Sequence, residues 1–152
     1  IKSCFPYIDK IDVVDKNLYS VHQRVANKFT KGRVILAGDA AHVNNPLGGM
    51  GMNSGIHDGL NIAEKISKLW NNSSLDFDKI LSLYDRQRRP LAKKYVQAQS
   101  IENKKTLQSG ESNKSEDKYD NLKRISSNKN LQKRFLLKAS LIDMVRESDS
   151  II

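Results

Sequence analysis

The stretch GRVILAGDAAHVNNPLGGMGMNSGIHDG, running from Gly32 to Gly59, decides how this chain is read. Val34-Ile35-Leu36-Ala37 is a continuous apolar run between Lys31-Gly32 and Gly38-Asp39. It fits a fully buried strand, although periodicity alone does not separate it from a buried helix segment. Gly38 and Asp39 then fall at the strand's carboxyl end, the edge at which open α/β sheets bind ligands. A glycine there lets a ligand approach the backbone. The carboxylate after it accepts hydrogen bonds from sugar-like hydroxyls.

Downstream, Pro46 fixes the backbone ahead of Gly48, Gly49 and Gly51, whose bare peptide units suit a flat ring. A long helix is expected to begin near Asn53 or Ser54, both favourable N-caps. Ile56, Leu60, Ala63 and Ile66 give it a buried stripe, widened by Ile62 and Leu69. Asp58 falls near its positive end. Unpaired N–H groups at such a helix start bind an anionic or carbonyl oxygen.

Gly32 to His42, then Pro46, then Gly49-Met-Gly-Met-Asn53, resembles the second FAD-binding motif of flavin-dependent aromatic-ring monooxygenases. These are the single-component hydroxylases similar to para-hydroxybenzoate hydroxylase and phenol hydroxylase. Gly38-Asp39, Pro46, Gly51, Asn53 and Asp58 all stand at that family's spacing, and the likeness covers roughly residues 19–105. Met50 departs from it, since the family often carries a polar residue there. The resemblance implies that Gly38 and Asp39 hold the ribityl chain of FAD. It implies that the backbone at Met52 and Asn53 faces the pyrimidine edge of the isoalloxazine, beside the bare backbone of Gly49 and Gly51, and that the loop at Pro46 lies beside a small aromatic substrate. It further implies O2 and NAD(P)H as co-substrates, with no catalytic side chain required, and the single Cys4 gives no metal cluster. A helix N-terminus against the pyrimidine ring would stabilise the reduced, anionic flavin.

The fold class expected is therefore α/β. The chain reads as the carboxyl-terminal portion of a Rossmann-like FAD-binding domain, with strand, glycine-rich loop and long helix followed by further helices. Residues 1–31 read as the end of a substrate domain and a return strand, and 32–108 as the FAD-binding part. Residues 109–130 read as a mobile connection and 131–152 as a terminal helix. The family's Gly-x-Gly-x-x-Gly fingerprint and Asp-Gly motif are absent, and Ile1-Lys2-Ser3 looks like mid-chain sequence, so a longer parent enzyme is expected.

Outward from the motif, Phe5, Tyr7, Ile8, Ile11, Val13 and Val14 are candidate core contacts. Leu18 to Val25 reads as extended, with Tyr19, Val21 and Val25 on one face. Arg24 and His22 read as structural. His42 is a lone loop histidine without a visible partner acid, so a hydrogen-bonding role competes with a general-base role. His57 reads as a helix-surface residue. After Asn71-Asn72-Ser73-Ser74, Phe77, Ile80, Leu81 and Tyr84 mark a helix face. The segment Tyr84-Asp85-Arg86-Gln87-Arg88-Arg89-Pro90 fits the family's Tyr…Arg-Arg-Pro pattern, its arginines reading as ion-pairing and Pro90 as a kink. Leu131, Phe135, Ala139, Ile142 and Val145 form the last stripe.

The net charge is +9, and residues 76–152 carry 17 basic against 11 acidic groups. A basic surface attracts nucleic acid or anionic membrane. The charges are interspersed and no nucleic-acid motif accompanies them, so nucleic acid is not expected. Lys133, Arg134 and Lys138 beside the last stripe allow a peripheral membrane contact, while packing on the parent enzyme or in a homodimer fits better. The single Cys4 precludes an internal disulfide, and cytoplasm is the default location. Two other classes stay open: a related FAD-dependent halogenase or reductase, and a non-enzymatic basic helical module binding nucleic acid or membrane.

Overall fold

The computed structural model describes residues 7, 12, 14–18, 20–108 and 112–152. Among them two small antiparallel ladders lead into a succession of helices. Arg24–Val25 (β1) pairs with His42–Val43 (β4), placing Arg24 opposite Val43 and Val25 opposite His42. Thr30–Lys31 (β2) and Val34–Ile35 (β3) form a hairpin. Its two-residue loop starts at Gly32, whose φ of 54° is left-handed and favours glycine. The fully buried strand expected over 34–37 is corrected here. Regular pairing covers Val34 and Ile35, Val34 is exposed, and Ile35 to Ala37 are half-buried. A hairpin with one face on the core turns alternate side chains outward.

Extended pairing of the upstream segment is likewise confined to Arg24 and Val25. Tyr7, Val14 and Leu18 are exposed rather than core residues. Cys4, Phe5, Ile8, Ile11, Val13 and Tyr19 lie outside the described residues.

Three helical stretches build the body. Met50–Asn71 (α1) ends where the Asn-Asn-Ser-Ser run predicts, and Phe77–Leu91 (α2) begins two residues beyond that run. Asp76 caps α2 by accepting from the Lys79 amide at 3.0 Å. Leu81 and Tyr84 are buried as expected, but Phe77 is exposed beneath Arg33. The helix passes through Pro90 and changes to π winding over Ala92–Gln97 before Ala98–Gln108 (α3) resumes α winding. The missing proline N–H loosens the hydrogen-bond ladder at this point.

Past the segment not described, the chain is helical over Ser112–Ser126 (α4), where no regular structure is expected from the sequence. The single terminal helix expected over 131–152 is instead two, Lys129–Ala139 (α5) and Ile142–Ser150 (α6). They are broken at buried Leu141, whose φ is 61°. α6 folds back on α2: the Gln87 amide donates to the Ile151 carbonyl at 2.7 Å, and Glu147 takes Lys94 at 2.6 Å and the Tyr95 hydroxyl at 2.7 Å.

Two apolar clusters hold these pieces. Phe29, Ala41, Ile62, Leu81, Tyr84 and Ala92 join the ladders to α1 and α2. Met50, Leu91, Val96, Leu141 and Met144 join the start of α1 to α6.

Helix α1 is inverted relative to its apolar pattern. Ile56, Leu60 and Ile66, expected inside, are exposed, and Met52 and Trp70 share that outer stripe. The inner stripe is Met50, Ser54, Asp58, Ile62 and Lys65, on roughly the opposite side at 3.6 residues per turn. Besides Met50 and Ile62, this face is held by polar contacts that hydrophobic periodicity does not register.

Candidate functional site

Glycine geometry sets the loop. Gly48 and Gly49 have φ of 103° and 64°, turning the chain straight into α1. The helix therefore starts at Met50 with Gly49 as N-cap, three to four residues earlier than the Asn53 or Ser54 expected. No side chain caps it, so its first-turn N–H groups keep no intrahelical acceptor. Asn53 reaches back instead, donating to the Gly49 carbonyl at 3.3 Å. Asp58 then lies in the third turn, beyond the range of the terminal dipole effect for which it was first read.

Asp58 is the node of the site. One carboxylate oxygen accepts from the Gly38 amide at 3.1 Å and from His42 Nε2 at 2.8 Å. The other accepts from Arg88 Nε at 2.7 Å. All three side chains are buried. Burial pushes the Asp58 carboxyl up, but the His42 hydrogen bond and the Arg88 charge outweigh it and hold it below the usual carboxylate range. Arg88 also donates to the Ser54 carbonyl at 3.4 Å. The ion-pairing reading of the Arg88-Arg89 pair is what the geometry shows, since Arg89 pairs with Asp85 at 2.9 Å.

His42 does have a partner acid, which the sequence did not reveal. Asn44 donates to its Nδ1 at 3.0 Å, which leaves Nε2–H to donate to Asp58. Ser54 Oγ approaches that same Nε2 at 3.4 Å. A nucleophile–base–acid relay uses opposite ring nitrogens. His42 is thus a buried hydrogen-bonding clamp between β4 and α1.

The clamp fixes the turn Gly38–Ala40, a single 3-10 turn closed by the Ala41 amide on the Gly38 carbonyl at 2.8 Å. Gly38 (φ 58°) packs directly on α1: a Cβ added at Gly55 would lie 3.2 Å from Gly38 Cα. Tyr84 grips the strand leading in, its hydroxyl donating to the Leu36 carbonyl at 2.8 Å. Asp39, by contrast, projects outward, exposed and without a hydrogen-bond partner among the described residues.

The residues singled out from the sequence are thus brought to one region in two groups. Gly38 and Asp39 form the clamped turn on α1, and Pro46, Gly49, Gly51, Met52 and Asn53 form the loop and first turn of the same helix. Pro46, Gly49, Met52 and Asn53 are exposed, and no atom lies within 4 Å of a Cβ built on Gly49 or Gly51. Open glycine backbone, uncapped helix amides and a free carboxylate fit FAD: the amides suit a ring carbonyl and the carboxylate a ribityl hydroxyl. Sequence reasoning missed His42 and Arg88 as partners of Asp58, and Ser54 as a neighbour that touches both of them. The spacing of Ser54, Asp58, Asn61 and Lys65 was the available signal, a polar stripe at helical period.

Residues 3–99 match the family model described as FAD binding domain. The chain is 38% identical over 91 residues to 3-(3-hydroxy-phenyl)propionate/3-hydroxycinnamic acid hydroxylase of Mycobacterium avium (strain 104), covering 60% of this chain and 15% of that one. It is 43% identical over 84 residues to para-nitrophenol 4-monooxygenase of Pseudomonas sp. (strain WBC-3), covering 55% and 20%. Among solved structures it resembles p-nitrophenol 4-monooxygenase PnpA from Pseudomonas putida DLL-E4, with TM-score 0.70 and 29% identity over 80% of this chain and 31% of that one. The class is that of flavin-binding domains as aromatic hydroxylases carry them. The chain belongs to the FAD-binding domain family. It spans 15% and 20% of the length of these two curated relatives.

Proposed function

We propose that this chain forms the flavin-facing segment of an FAD-dependent monooxygenase that hydroxylates a small aromatic substrate with O2 and NAD(P)H. The observation that carries the reading is Asp39, a free carboxylate on a turn immobilised from behind by buried Asp58. Asp39 would accept hydrogen bonds from ribityl hydroxyls. The bare backbone at Gly49 and Gly51 and the amides at Met52 and Asn53 would lie against the isoalloxazine, with Pro46 toward the substrate. FAD, when bound, supplies the redox and oxygen-transfer chemistry. The residues here orient it, present N–H donors to its pyrimidine edge and keep water from one side.

The same reading carries the expected divisions at residues 31 and 108 and a cytoplasmic location, whereas a division at 130 would fall inside α5. Among the described residues no helix is long and apolar enough to cross a membrane. Exposed Phe135 and Leu136, flanked by Lys133 and Arg134, are where a homodimer or peripheral membrane contact would form. The halogenase or reductase alternative differs only in what residues elsewhere do with the same cofactor. The stand-alone basic module has no support from the family match.

The test is Asp39→Ala in the enzyme that carries this segment, with FAD dissociation followed by flavin fluorescence. Loss of charge-assisted hydrogen bonds predicts roughly 10- to 100-fold weaker retention. Retention at the wild-type level would refute the assignment.

A further inference from the structure

The glycine-rich loop is held from a side that the family match does not reach. Asn103 lies on α3, beyond the matched residues 3–99. Its side-chain Nδ2 donates to the Leu47 carbonyl at 3.2 Å, across 56 positions of sequence. One turn earlier Gln99 donates to Asn103 Oδ1 at 3.2 Å, which orients the amide. The contact is also steric. A Cβ at Gly48 would lie 2.6 Å from Asn103 Nδ2, so the loop backbone rests on this side chain where glycine is present. Within the loop, the Gly49 amide bonds to the Pro46 carbonyl at 3.0 Å and the Leu47 amide to Asn45 Oδ1 at 3.0 Å. Asn103 ties this small unit to α3.

The π segment aims that helix. Each π turn takes in an extra residue, which rotates everything after it about the helix axis relative to α2. With uninterrupted α winding, position 103 would face elsewhere. The segment is itself anchored, since Gln23 Nε2 donates to the Gln97 carbonyl at 2.8 Å.

We propose that Asn103 is a positioning residue for the loop Pro46–Gly49, setting the height of the wall that lies beside the flavin ring and the aromatic substrate. This rests on the reading of that loop given above. Asn103 touches neither reactant in this scheme and acts through Leu47 and Gly48. Its loss would loosen the substrate side of the site and leave the Asp39 turn, on the far side of the Asp58 clamp, unchanged.

The test uses the flavin-loaded enzyme with Asn103→Asp, an isosteric change that removes the donor, and Asn103→Ala, which also removes the support. The readouts are amide hydrogen exchange over residues 47–50, FAD dissociation, KM for the aromatic substrate, and hydrogen peroxide released per NAD(P)H oxidised. Both variants should exchange faster in the loop and show KM raised roughly 2- to 10-fold, the range for one neutral hydrogen bond. Both should release more peroxide, since reducing equivalents then reach O2 without an oxygen atom entering the ring. FAD affinity should fall by less than the KM change, because the Asp39 turn is held by Asp58 and the Met52 and Asn53 amides by α1, none of which Asn103 supports. Unchanged loop exchange and KM in both variants would overturn the inference while leaving the flavin reading intact. A fall in FAD affinity as large as the KM effect would also overturn it, by making Asn103 a general structural residue. Wild-type enzyme that retains no FAD would remove the reading beneath it.

Discussion

Asp58 and Gly38, twenty positions apart, are joined by a 3.1 Å hydrogen bond from backbone amide to buried carboxylate. The turn that presents Asp39 is thus held by the side chain of one helix, and that side chain is in turn neutralised by Arg88 from the next.

Breaking that pair from one side should be severe. Asp58→Asn keeps the shape but cannot satisfy all its partners. An amide facing Gly38 and His42 with its oxygen turns its NH2 toward Arg88. Removing the charge leaves a buried guanidinium uncompensated, an effect of about 3–5 kcal/mol. Asp58→Asn combined with Arg88→Met should lose less than the sum of the single changes. Urea denaturation of the four proteins measures the coupling, and simple additivity would contradict the geometry.

Acid should undo the same clamp. Asp58 has its folded pKa lowered by His42 and Arg88 against burial, and Asp85 has its own lowered, against burial, by Arg89 and the Phe29 amide. A carboxyl whose folded pKa is depressed contributes stability above its unfolded pKa of about 4, and that contribution is lost as pH falls through the folded value. The difference in stability between wild type and Asp58→Asn should therefore hold at pH 6 and shrink progressively below about pH 4. A difference independent of pH down to 2 would show that the carboxylate charge is not what matters.

Two glycines of α1 should respond in opposite directions to alanine. Gly59 has open space around an added Cβ, so Gly59→Ala gains helix propensity and stabilises by about 0.5–1 kcal/mol. Gly55→Ala brings a methyl to 3.2 Å from the Gly38 backbone, which has no side chain to move aside. It should lower the melting temperature despite the same propensity gain, and weaken FAD retention with it. Equal stabilisation by both would mean that the turn is not seated on the helix.

Much of this was legible in advance, for reasons that differ by residue. Gly38, Gly48 and Gly49 take left-handed backbone that favours glycine, so residue type alone exposed the turn and the loop. Asn71-Asn72 ended α1 as read because a run of such residues competes with the helix for backbone hydrogen bonds. The orientation of α1 was misread because Ile56, Leu60 and Ile66 make a convincing apolar stripe, whereas its inner face is decided by Asp58, whose partners lie on three other segments. Ladders of two residues, as at His42–Val43, carry too little alternation to be seen. The tie from Asn103 to Leu47 depends on a rotation introduced by π winding, which no local pattern announces.

The inverted helix has a thermal consequence. Exposing apolar surface raises the heat capacity of unfolding, and exposing polar surface lowers it. The inner face of α1 sets Ser54, Asp58 and Lys65 among only two large apolar residues, Met50 and Ile62. When that face separates from α2 and the Gly38 turn, its polar groups offset part of the heat-capacity rise from Met50 and Ile62, so its share of the stability curve is shallower than that of an all-apolar face. Cooling, which weakens contacts made of hydrocarbon, leaves the grip on the Gly38 turn largely intact.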